Sequence, residues 1–153
     1  MERGKTIKVL NTLITINNDR IKRYETVVKE TEEQYLKTLC AKFSDTSKKC
    51  KQELTNEVTK LGGTPAEGTK TSGKFLRILM DAKAILSSWQ YGEAILNSCD
   101  YGENMAKYTY KKALKNDAEI LCAEQQTRIK AQHILLVAEH NKVKSMRDTL
   151  VRA

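Results

Sequence analysis

The amino-acid sequence predicts an all-α fold. Apolar residues recur at alternating three- and four-residue spacing along four long segments, and the alternation typical of strands appears nowhere at useful length. The only proline, Pro65, lies in the only glycine-rich stretch, residues 61–73, and this break divides the four segments into two pairs. A chain of 153 residues is long enough for one domain with its own core. We therefore expect a single helical domain over residues 1–153, made of two helical hairpins.

The first helical hairpin is expected over residues 4–61. Its helices span residues 4–30 and 33–61, with a short polar turn between them. Gly62 follows directly, and glycine provides the left-handed residue that ends many helices. On each helix the apolar positions form one stripe, as expected for helices that pack at a small crossing angle. The stripes consist of Ile7, Leu10, Ile14, Asn17, Ile21, Tyr24 and Val28, and of Leu36, Cys40, Phe43, Ser47, Cys50, Leu54, Val58 and Leu61.

The connection between the hairpins, residues 62–89, is unusually long and includes a shorter apolar segment over residues 75–86. A helix of that length spans about 20 Å at 1.5 Å per residue. A simple up-down-up-down bundle needs only a few residues at this point. The length therefore predicts a crossover that returns along the bundle and leaves the third long helix parallel to the second, which is the ferritin-like arrangement.

The second helical hairpin is expected over residues 90–149. Its helices span residues 90–115 and 118–149, and Asp117 is a suitable N-cap for the last helix. Their stripes consist of Ile95, Cys99, Gly102, Ala106, Tyr110 and Ala113, and of Cys122, Gln125, Ile129, Gln132, Leu136, His140 and Val143.

The chain is basic, with a formal net charge of +8, a pI of about 9.3 and a mean hydropathy of −0.55. The basic residues lie among acidic ones at outward helical phases, which predicts a solvated face; coating of nucleic acid is an alternative that requires a continuous positive face. No apolar run approaches the roughly 18 residues that span a bilayer, and no cleavage site follows residues 7–16. We expect a cytoplasmic protein that does not enter a membrane.

The four cysteines, Cys40, Cys50, Cys99 and Cys122, are far apart in the sequence and form no CxxC pair. Each falls on an apolar stripe. This pattern predicts small buried thiols in a reducing compartment rather than a disulfide framework or a zinc site.

Several short segments match the motifs of a known family in order and spacing. They are Leu10-Asn11-x-Leu13-Ile14, residues 16–21 with Tyr24-Glu25, Glu53-Leu54-x-x-Glu57-Val58 before Gly62-Gly63, residues 80–86, Cys99-x-x-Gly102-Glu103 and Lys130-x-x-His133. With these segments the chain resembles the bacterial ferritin-like four-helix-bundle proteins of unknown function. The resemblance implies a ferritin-like fold and self-association as a dimer, and it implies no established reaction or small-molecule substrate.

The ferritin-like fold raises the question of a di-iron centre. Such a centre needs Glu-x-x-His on two helices and one carboxylate on each of the other two. The last helix has Lys130-Ala131-Gln132-His133 instead, and the second helix has no histidine. Counting residues from the expected turns nevertheless predicts one polar layer across the centre of the bundle. Its members are Asn17, Asn18, Ser47, Glu103, Lys130 and His133.

This polar layer has two interpretations. In the first, it is a hydrogen-bonded core layer with a degenerate di-metal site, in a non-enzymatic structural or interaction module without catalytic or cofactor-binding residues. In the alternative, Glu103 and His133 bind iron, manganese or zinc in a metal-binding or redox protein. Amides and hydroxyls are poor iron ligands. Lys130 would repel a cation unless it points outward, and it could instead pair with Glu103.

Two further groups of residues have open interpretations. Glu25 is expected on the inner side of its helix, but Glu53 lies about 20 Å away along the helices, so the two carboxylates cannot share a metal. Aromatic residues cluster around the third long helix, where they either pack against the crossover helix or form an exposed seam for a partner. They are Trp89, Tyr91, Tyr101, Tyr108 and Tyr110.

Overall fold

A computed structural model of the chain describes residues 2–70, 72–86 and 88–152. These residues form five α-helices and one short 3₁₀ helix, and no strand occurs among them, which confirms the all-α prediction. The helices are α1 (Glu2–Glu30), α2 (Gln34–Lys60), α3 (Ser72–Ile85), α4 (Ser88–Asn116) and α5 (Ala123–Arg152), and the 3₁₀ helix is Ala118–Ile120. Within the same described ranges, no helix has both the length and the apolar composition needed to cross a membrane.

The four long helices pack as two pairs, α1 with α2 and α4 with α5. The turns within the pairs are short, so the helices of each pair are antiparallel. The two pairs are joined because α1 also packs against α4 and α2 against α5. Each long helix therefore has two long neighbours.

Helix α2 ends where the sequence predicts a left-handed glycine. Gly62 has a φ of 79°, which places it in the left-handed region. The Gly63 N–H donates to Val58 O at 2.9 Å, and the Gly62 N–H donates to Thr59 O at 3.0 Å. These two bonds form a Schellman motif, which satisfies the last carbonyls of the helix and directs the chain back toward α1.

The segment after this motif, residues 64–70, lies along α1 and is called the strap below. Side chains of α1 hold its backbone through four hydrogen bonds of 2.8–3.0 Å. The Asn11 and Asn18 side-chain amides donate to Thr64 O and Gly68 O, and the backbone N–H groups of Ala66 and Lys70 donate to Asn11 Oδ1 and Asp19 Oδ1. Both sets of partners advance together along the chain, so the strap runs in the same direction as α1. Helix α3 continues this path to the end of α1, where Lys83 Nζ lies 3.0 Å from Glu30 Oε2. Helix α4 consequently starts beside the α1–α2 turn and runs parallel to α2.

The turn between α4 and α5 differs from the prediction. Helix α5 begins at Ala123 rather than at residue 118, because the 3₁₀ helix occupies part of the connection. Asp117 precedes that 3₁₀ helix and makes no side-chain capping hydrogen bond, so the predicted N-cap is wrong. At the start of α5 the Cys122 N–H donates instead to Gln125 Oε1 at 3.0 Å. The longer connection changes which residues of α4 and α5 face each other.

The core consists of two apolar clusters at opposite ends of the long helices. One cluster centres on Leu13, Leu54 and Tyr110, and the other on Tyr24, Phe43 and Ile95. Buried polar residues of all four long helices lie between the two clusters. They form the candidate site.

Three of the four cysteines are buried free thiols, as predicted: Cys40, Cys50 and Cys99. Burial raises the pKa of Cys50 and of Cys99 to about 12 each, so both stay protonated at neutral pH. Cys122 is exposed, and the prediction of a fourth buried thiol is wrong. It lies before the first turn of α5 rather than on the inner stripe of that helix.

Candidate functional site

Helix α1 is buried on an unusually wide face at its middle. The residues from Asn17 to Arg20 are all buried, and Arg23 follows one turn later with only 2% of its surface exposed. The burial is wide because α2 and α4 cover the inner sides of the helix and the strap covers another side. Two consecutive turns of α1 thus place polar groups in the interior.

Arg20 lies at the centre of this interior and is fully buried. Its Nε donates to Glu103 Oε1 of α4 at 2.8 Å, and its Nη2 donates to Glu139 Oε1 of α5 at 2.7 Å. Its Nη1 donates to Ser47 Oγ of α2. Every nitrogen of the guanidinium therefore has a partner, and one side chain links all four long helices. We call Arg20, Ser47, Glu103 and Glu139 the Arg20 cluster.

The two carboxylates of the cluster have further donors. Glu103 Oε1 also accepts a hydrogen bond from the Tyr24 hydroxyl and a longer one, 3.4 Å, from Arg23 Nη2. Glu139 Oε2 accepts from Thr46 Oγ1 at 2.6 Å. The guanidinium groups of Arg20 and Arg23 lie 5.2 and 5.0 Å from the centre of the Tyr24 ring, within the range of cation–π attraction.

Burial and charge act against each other on the pKa values of this cluster. Burial alone would raise the pKa of Glu103, but the charges of Arg20 and Arg23 and the Tyr24 hydroxyl outweigh it and lower the pKa. Burial would likewise lower the pKa of Arg20, yet the carboxylates raise it. For Glu139 burial prevails over the charge of Arg20, so its pKa is raised. Arg20 and Glu103 thus form a stable buried ion pair at neutral pH.

A second buried polar cluster surrounds Tyr110. Its hydroxyl accepts from Asn17 Nδ2 at 2.8 Å and donates to Gln132 Oε1 at 2.7 Å. Gln132 Nε2 in turn donates to Glu53 Oε1 at 2.9 Å, near the surface. Burial raises the pKa of Tyr110, so the hydroxyl remains neutral. We call Asn17, Tyr110 and Gln132 the Tyr110 cluster.

The structure distributes the predicted polar layer over several places. Ser47 and Glu103 meet at Arg20, Asn17 belongs to the Tyr110 cluster, and Asn18 holds the strap. Lys130 is exposed, so it points outward and makes no pair with Glu103.

His133 is half-buried and stacks on the Tyr110 ring, with centroids 6.2 Å apart, rather than lying beside Glu103. Burial, together with Lys111 and Lys107, lowers its pKa. Glu25 is exposed, and its predicted inward position is wrong.

The register of α4 and α5 explains why Glu103 and His133 do not meet. The prediction placed Glu103 opposite Lys130. In the structure Glu103 lies at the level of Glu139 on α5, because both carboxylates bind Arg20. The difference is more than two turns, and it arises because the connection before α5 is longer than the sequence suggested. A metal site built from Glu103 and His133 loses its geometric basis.

Sequence reasoning missed both Arg20 and Glu139. A signal was available for Arg20, because Leu10, Leu13, Asn17, Arg20, Tyr24 and Val27 also follow a three–four spacing, and all six are buried. An arginine at such a position is ordinarily assigned to the solvated face. A comparable signal existed for Glu139, because Gln125, Ile129, Gln132, Leu136, Glu139 and Val143 follow the same three–four alternation and all six are buried. The neighbouring His140 was placed on the predicted stripe instead.

The residues at the centre do not fit a di-iron or single-cation site. Glu103 is the carboxylate that such a site would use, and two guanidinium groups already bind it. A cation would have to displace them or accept their repulsion in a medium where charges interact strongly. Within the described part of the chain, no three His, Cys, Asp or Glu side chains are grouped closely enough to hold a metal ion.

A third polar group links α4 and α5 near their other end. His140 is fully buried and its Nε2 donates to Asp100 Oδ1 at 2.6 Å. Arg147 Nη1 lies 2.8 Å from the other oxygen of Asp100. Burial would raise the pKa of Asp100, but the bonds from His140 and Arg147 lower it. This group ties α5 to α4.

Comparison with protein families adds one finding. The sequence profile of a domain of unknown function (DUF2383) matches residues 5–116, which is most of the chain. The chain belongs to this family. The expectation of a family of unknown function is thereby confirmed, and the matched range runs from the first turn of α1 to the end of α4, including Arg20 and Glu103. A search among curated proteins finds no match.

Proposed function

We propose that the protein is a non-enzymatic structural or interaction module with a ferritin-like four-helix fold, in which a buried arginine takes the place of a metal centre. The observation that carries this proposal is Arg20, whose guanidinium binds side chains of the three other long helices in the middle of the interior. The Arg20 guanidinium thus supplies, in the middle of the interior, the positive charge that a metal ion would supply in a metal centre. The site is then a permanent structural element rather than a reaction centre.

The path of the chain supports the ferritin-like part of the proposal. The strap and α3 return along α1, so that α2 and α4 are parallel, which is the connection that distinguishes ferritin-like folds from simple up-down bundles. The metal ligands of ferritin-like proteins project from the four helices into the bundle interior, and Glu103 and Glu139 are interior carboxylates of this chain. Here the carboxylates on α4 and α5 hold a guanidinium.

Self-association is the interaction that the surface supports best. Ala131, Ile134, Leu135 and Ala138 are all exposed, and their spacing puts them on one face, called the outer face of α5. Ile134 is 69% and Leu135 43% exposed. Because Tyr110 meets Gln132, the exposed Tyr108 of α4 lies at the level of Ile134.

A second copy of the chain is the partner that this face fits. Two α5 helices paired antiparallel about Ile134 and Leu135 bring the same apolar residues together across a two-fold axis. The pairing also brings Glu124 of one copy level with the region of Lys144 on the other, so the ends are complementary in charge. Of the aromatic residues that the sequence singled out, Tyr101 and Tyr108 are exposed and Tyr110 is buried. Tyr91 is half-buried and packs against the core cluster that includes Phe75 and Leu79 of α3, and the side chain of Trp89 lies outside the described residues.

The self-association is tested by the molar mass in solution, measured by light scattering after size exclusion. We expect a dimer for the wild type and a monomer for Ile134→Asp. Met80→Asp is the matched control, because Met80 is equally exposed but lies on α3. A wild type that stays monomeric at every concentration, or a Met80→Asp variant that dissociates as readily, contradicts the proposed interface.

The absence of a metal centre is tested separately. Protein purified without chelator is analysed for iron, manganese and zinc, and we expect far less than one ion per chain. Stoichiometric metal that disappears in Glu103→Gln contradicts the structural role of the Arg20 cluster and restores the metal-binding alternative.

A further inference from the structure

A cleft of about 240 Å³ opens between α1, α4 and the strap. It lies on the outer side of the Arg20 cluster. Three cationic side chains line it, Arg20, Arg23 and Lys70, and the carboxylate of Asp19 is beside them. Arg20 is already paired with Glu103 and Glu139, so the positive charge offered to this partly enclosed space is that of Arg23 and Lys70.

Arg23 is the group in this cleft whose bonding is incomplete. It is almost fully buried, yet its one hydrogen bond in the described structure is the long contact of 3.4 Å from Nη2 to Glu103. Its Nε has no hydrogen-bond partner. A guanidinium carries five N–H donors, and buried donors without acceptors are costly. Among the described residues only Glu103 accepts a hydrogen bond from Arg23, so most of its donor capacity is unused.

Gly102 makes room for this guanidinium. A Cβ at residue 102 would overlap Arg23 Nη1, so the side chain reaches this part of the cleft only because α4 has a glycine there. Both residues line the cleft. The arginine is thus held at the wall of the cleft by the packing of α1 against α4.

Lys70 is brought to the cleft by the strap. Its backbone N–H donates to Asp19 Oδ1 at 2.8 Å, which fixes the end of the strap on α1, while its side chain is exposed at the rim. Arg23 at the wall and Lys70 at the rim come from segments far apart in sequence. Their meeting depends on the crossover.

The other polar groups of the cleft are threonine hydroxyls. Those of Thr12, Thr15 and Thr109 each donate to the carbonyl four residues earlier in their own helix. Their oxygens can therefore only accept hydrogen bonds from a ligand. The volume is below the roughly 300 Å³ at which pockets for drug-sized ligands begin. It suits an oxyanion with a few further atoms.

We propose that this cleft binds a small molecule with a terminal oxyanion, a phosphate or a carboxylate, through Arg23 at its wall and Lys70 at its rim. The guanidinium donates to the oxyanion, the ammonium adds a second positive charge, and the threonine oxygens accept from hydroxyl groups of the same ligand. This site is separate from the self-association surface on α5, and it does not rest on the proposed function.

The test is a calorimetric titration at low ionic strength with two probes, inorganic phosphate and succinate. We expect saturable binding of at least one probe to one site per chain, and the probe that binds identifies the oxyanion. Arg23→Met should weaken binding more than about tenfold, as expected for charge-assisted hydrogen bonds. Lys70→Met should weaken it about threefold, the scale of an exposed ion pair.

The matched control is Lys74→Met, which removes an exposed lysine of α3 outside the cleft. It should leave binding unchanged. Lys70→Met keeps the test decisive if Arg23→Met does not fold, because the Lys70 side chain is exposed. Failure of both probes to saturate overturns the proposal, and so does a Lys74→Met variant that loses as much affinity as Lys70→Met, since the attraction would then be that of the net charge alone.

Discussion

The Arg20 cluster and the Tyr110 cluster lie in the same helical interior, but the first pairs its buried polar groups through charges and the second through neutral hydrogen bonds. On α4 their central residues, Glu103 and Tyr110, are seven positions apart, or about 10 Å along the helix. The Arg20 cluster uses full charges, with one guanidinium shared by two carboxylates. The Tyr110 cluster uses a hydroxyl between two amides.

The difference shows what each cluster demands of the fold. A neutral hydrogen bond that is lost leaves unsatisfied dipoles, whereas a lost ion-pair partner leaves an uncompensated charge in a medium of low dielectric constant. The ionic cluster therefore enforces one relative position of the four helices more strictly. It also depends more on every member being present.

The largest effect is expected for Arg20→Met. The substitution leaves Glu103 and Glu139 buried without their shared cation, and the free energy of unfolding should fall by about 3–5 kcal/mol. Urea denaturation followed by circular dichroism measures the change. A loss below about 1 kcal/mol, the level of a surface pair, would show that the buried cluster is not what holds the helices together.

A second variant separates unpaired charge from lost packing. Arg20→Met/Glu139→Gln removes the carboxylate that has no other cation, while Glu103 keeps Arg23 and Tyr24. We expect the double variant to be more stable than Arg20→Met alone. If it is equally unstable or worse, the cost of the first substitution lies in packing rather than in charge.

A smaller effect is expected for Tyr110→Phe. The ring stays in the core, but Gln132 Oε1 loses its donor and Asn17 Nδ2 loses one of its two acceptors. The free energy of unfolding should fall by about 1–3 kcal/mol. The same urea experiment checks it, and a loss as large as that of Arg20→Met would remove the distinction between the two clusters.

The pH dependence of stability distinguishes the two carboxylates of the Arg20 cluster. Glu103 has a lowered pKa, so its contribution is present above the ordinary value of 4.5 and is lost as the pH falls toward its folded pKa. Glu139 has a raised pKa, so its contribution is present below 4.5 and is lost as the pH rises through its folded pKa. Stability should therefore fall on the acid side of 4.5 and decline modestly just above it.

Glu139→Gln is the variant that checks this assignment. When urea unfolding of this variant is measured across the pH range, the decline in stability just above pH 4.5 should disappear. The loss of stability below pH 4.5 should remain. If the loss of stability below pH 4.5 disappears instead, the lowered pKa belongs to Glu139 rather than to Glu103.

The smallest effect is expected for Arg128→Met, the surface counterpart of Arg20→Met. Arg128 is 39% exposed and lies 3.5–3.9 Å from oxygens of Glu53, Glu57 and Glu124. Water screens these contacts, so the free energy of unfolding should change by about 0–1 kcal/mol. A change comparable with that of Arg20→Met would mean that burial is not the source of the difference.

The fold was more predictable than the site. Gly62, the single strap proline and the three–four stripes are local signals, so the number of helices and the returning connection follow from the sequence. The end of α4 is also close to the predicted position. The start of α5 is not, because a 3₁₀ helix and a glutamine cap replaced the expected cap at Asp117.

The start of α5 determines which residues meet in the candidate site. Moving the start of α5 by five residues moves every contact between α4 and α5, so Glu103 meets the level of Glu139 and His133 instead lies over Tyr110. Residues that were correctly assigned to inner faces, such as Ser47 and Glu103, therefore acquired partners that the residue count did not indicate.

By itself the sequence determined the all-α class, the division at the strap and most of the inward-facing positions, because helical periodicity and glycine conformation act within a few residues. Only the tertiary structure decided that Arg20 is the centre of the interior and that Arg23 and Lys70 meet at one cleft. Whether an arginine is solvated or buried depends on which carboxylates of other helices lie within about 3 Å of it, and that distance is set by packing and register rather than by neighbours in the chain.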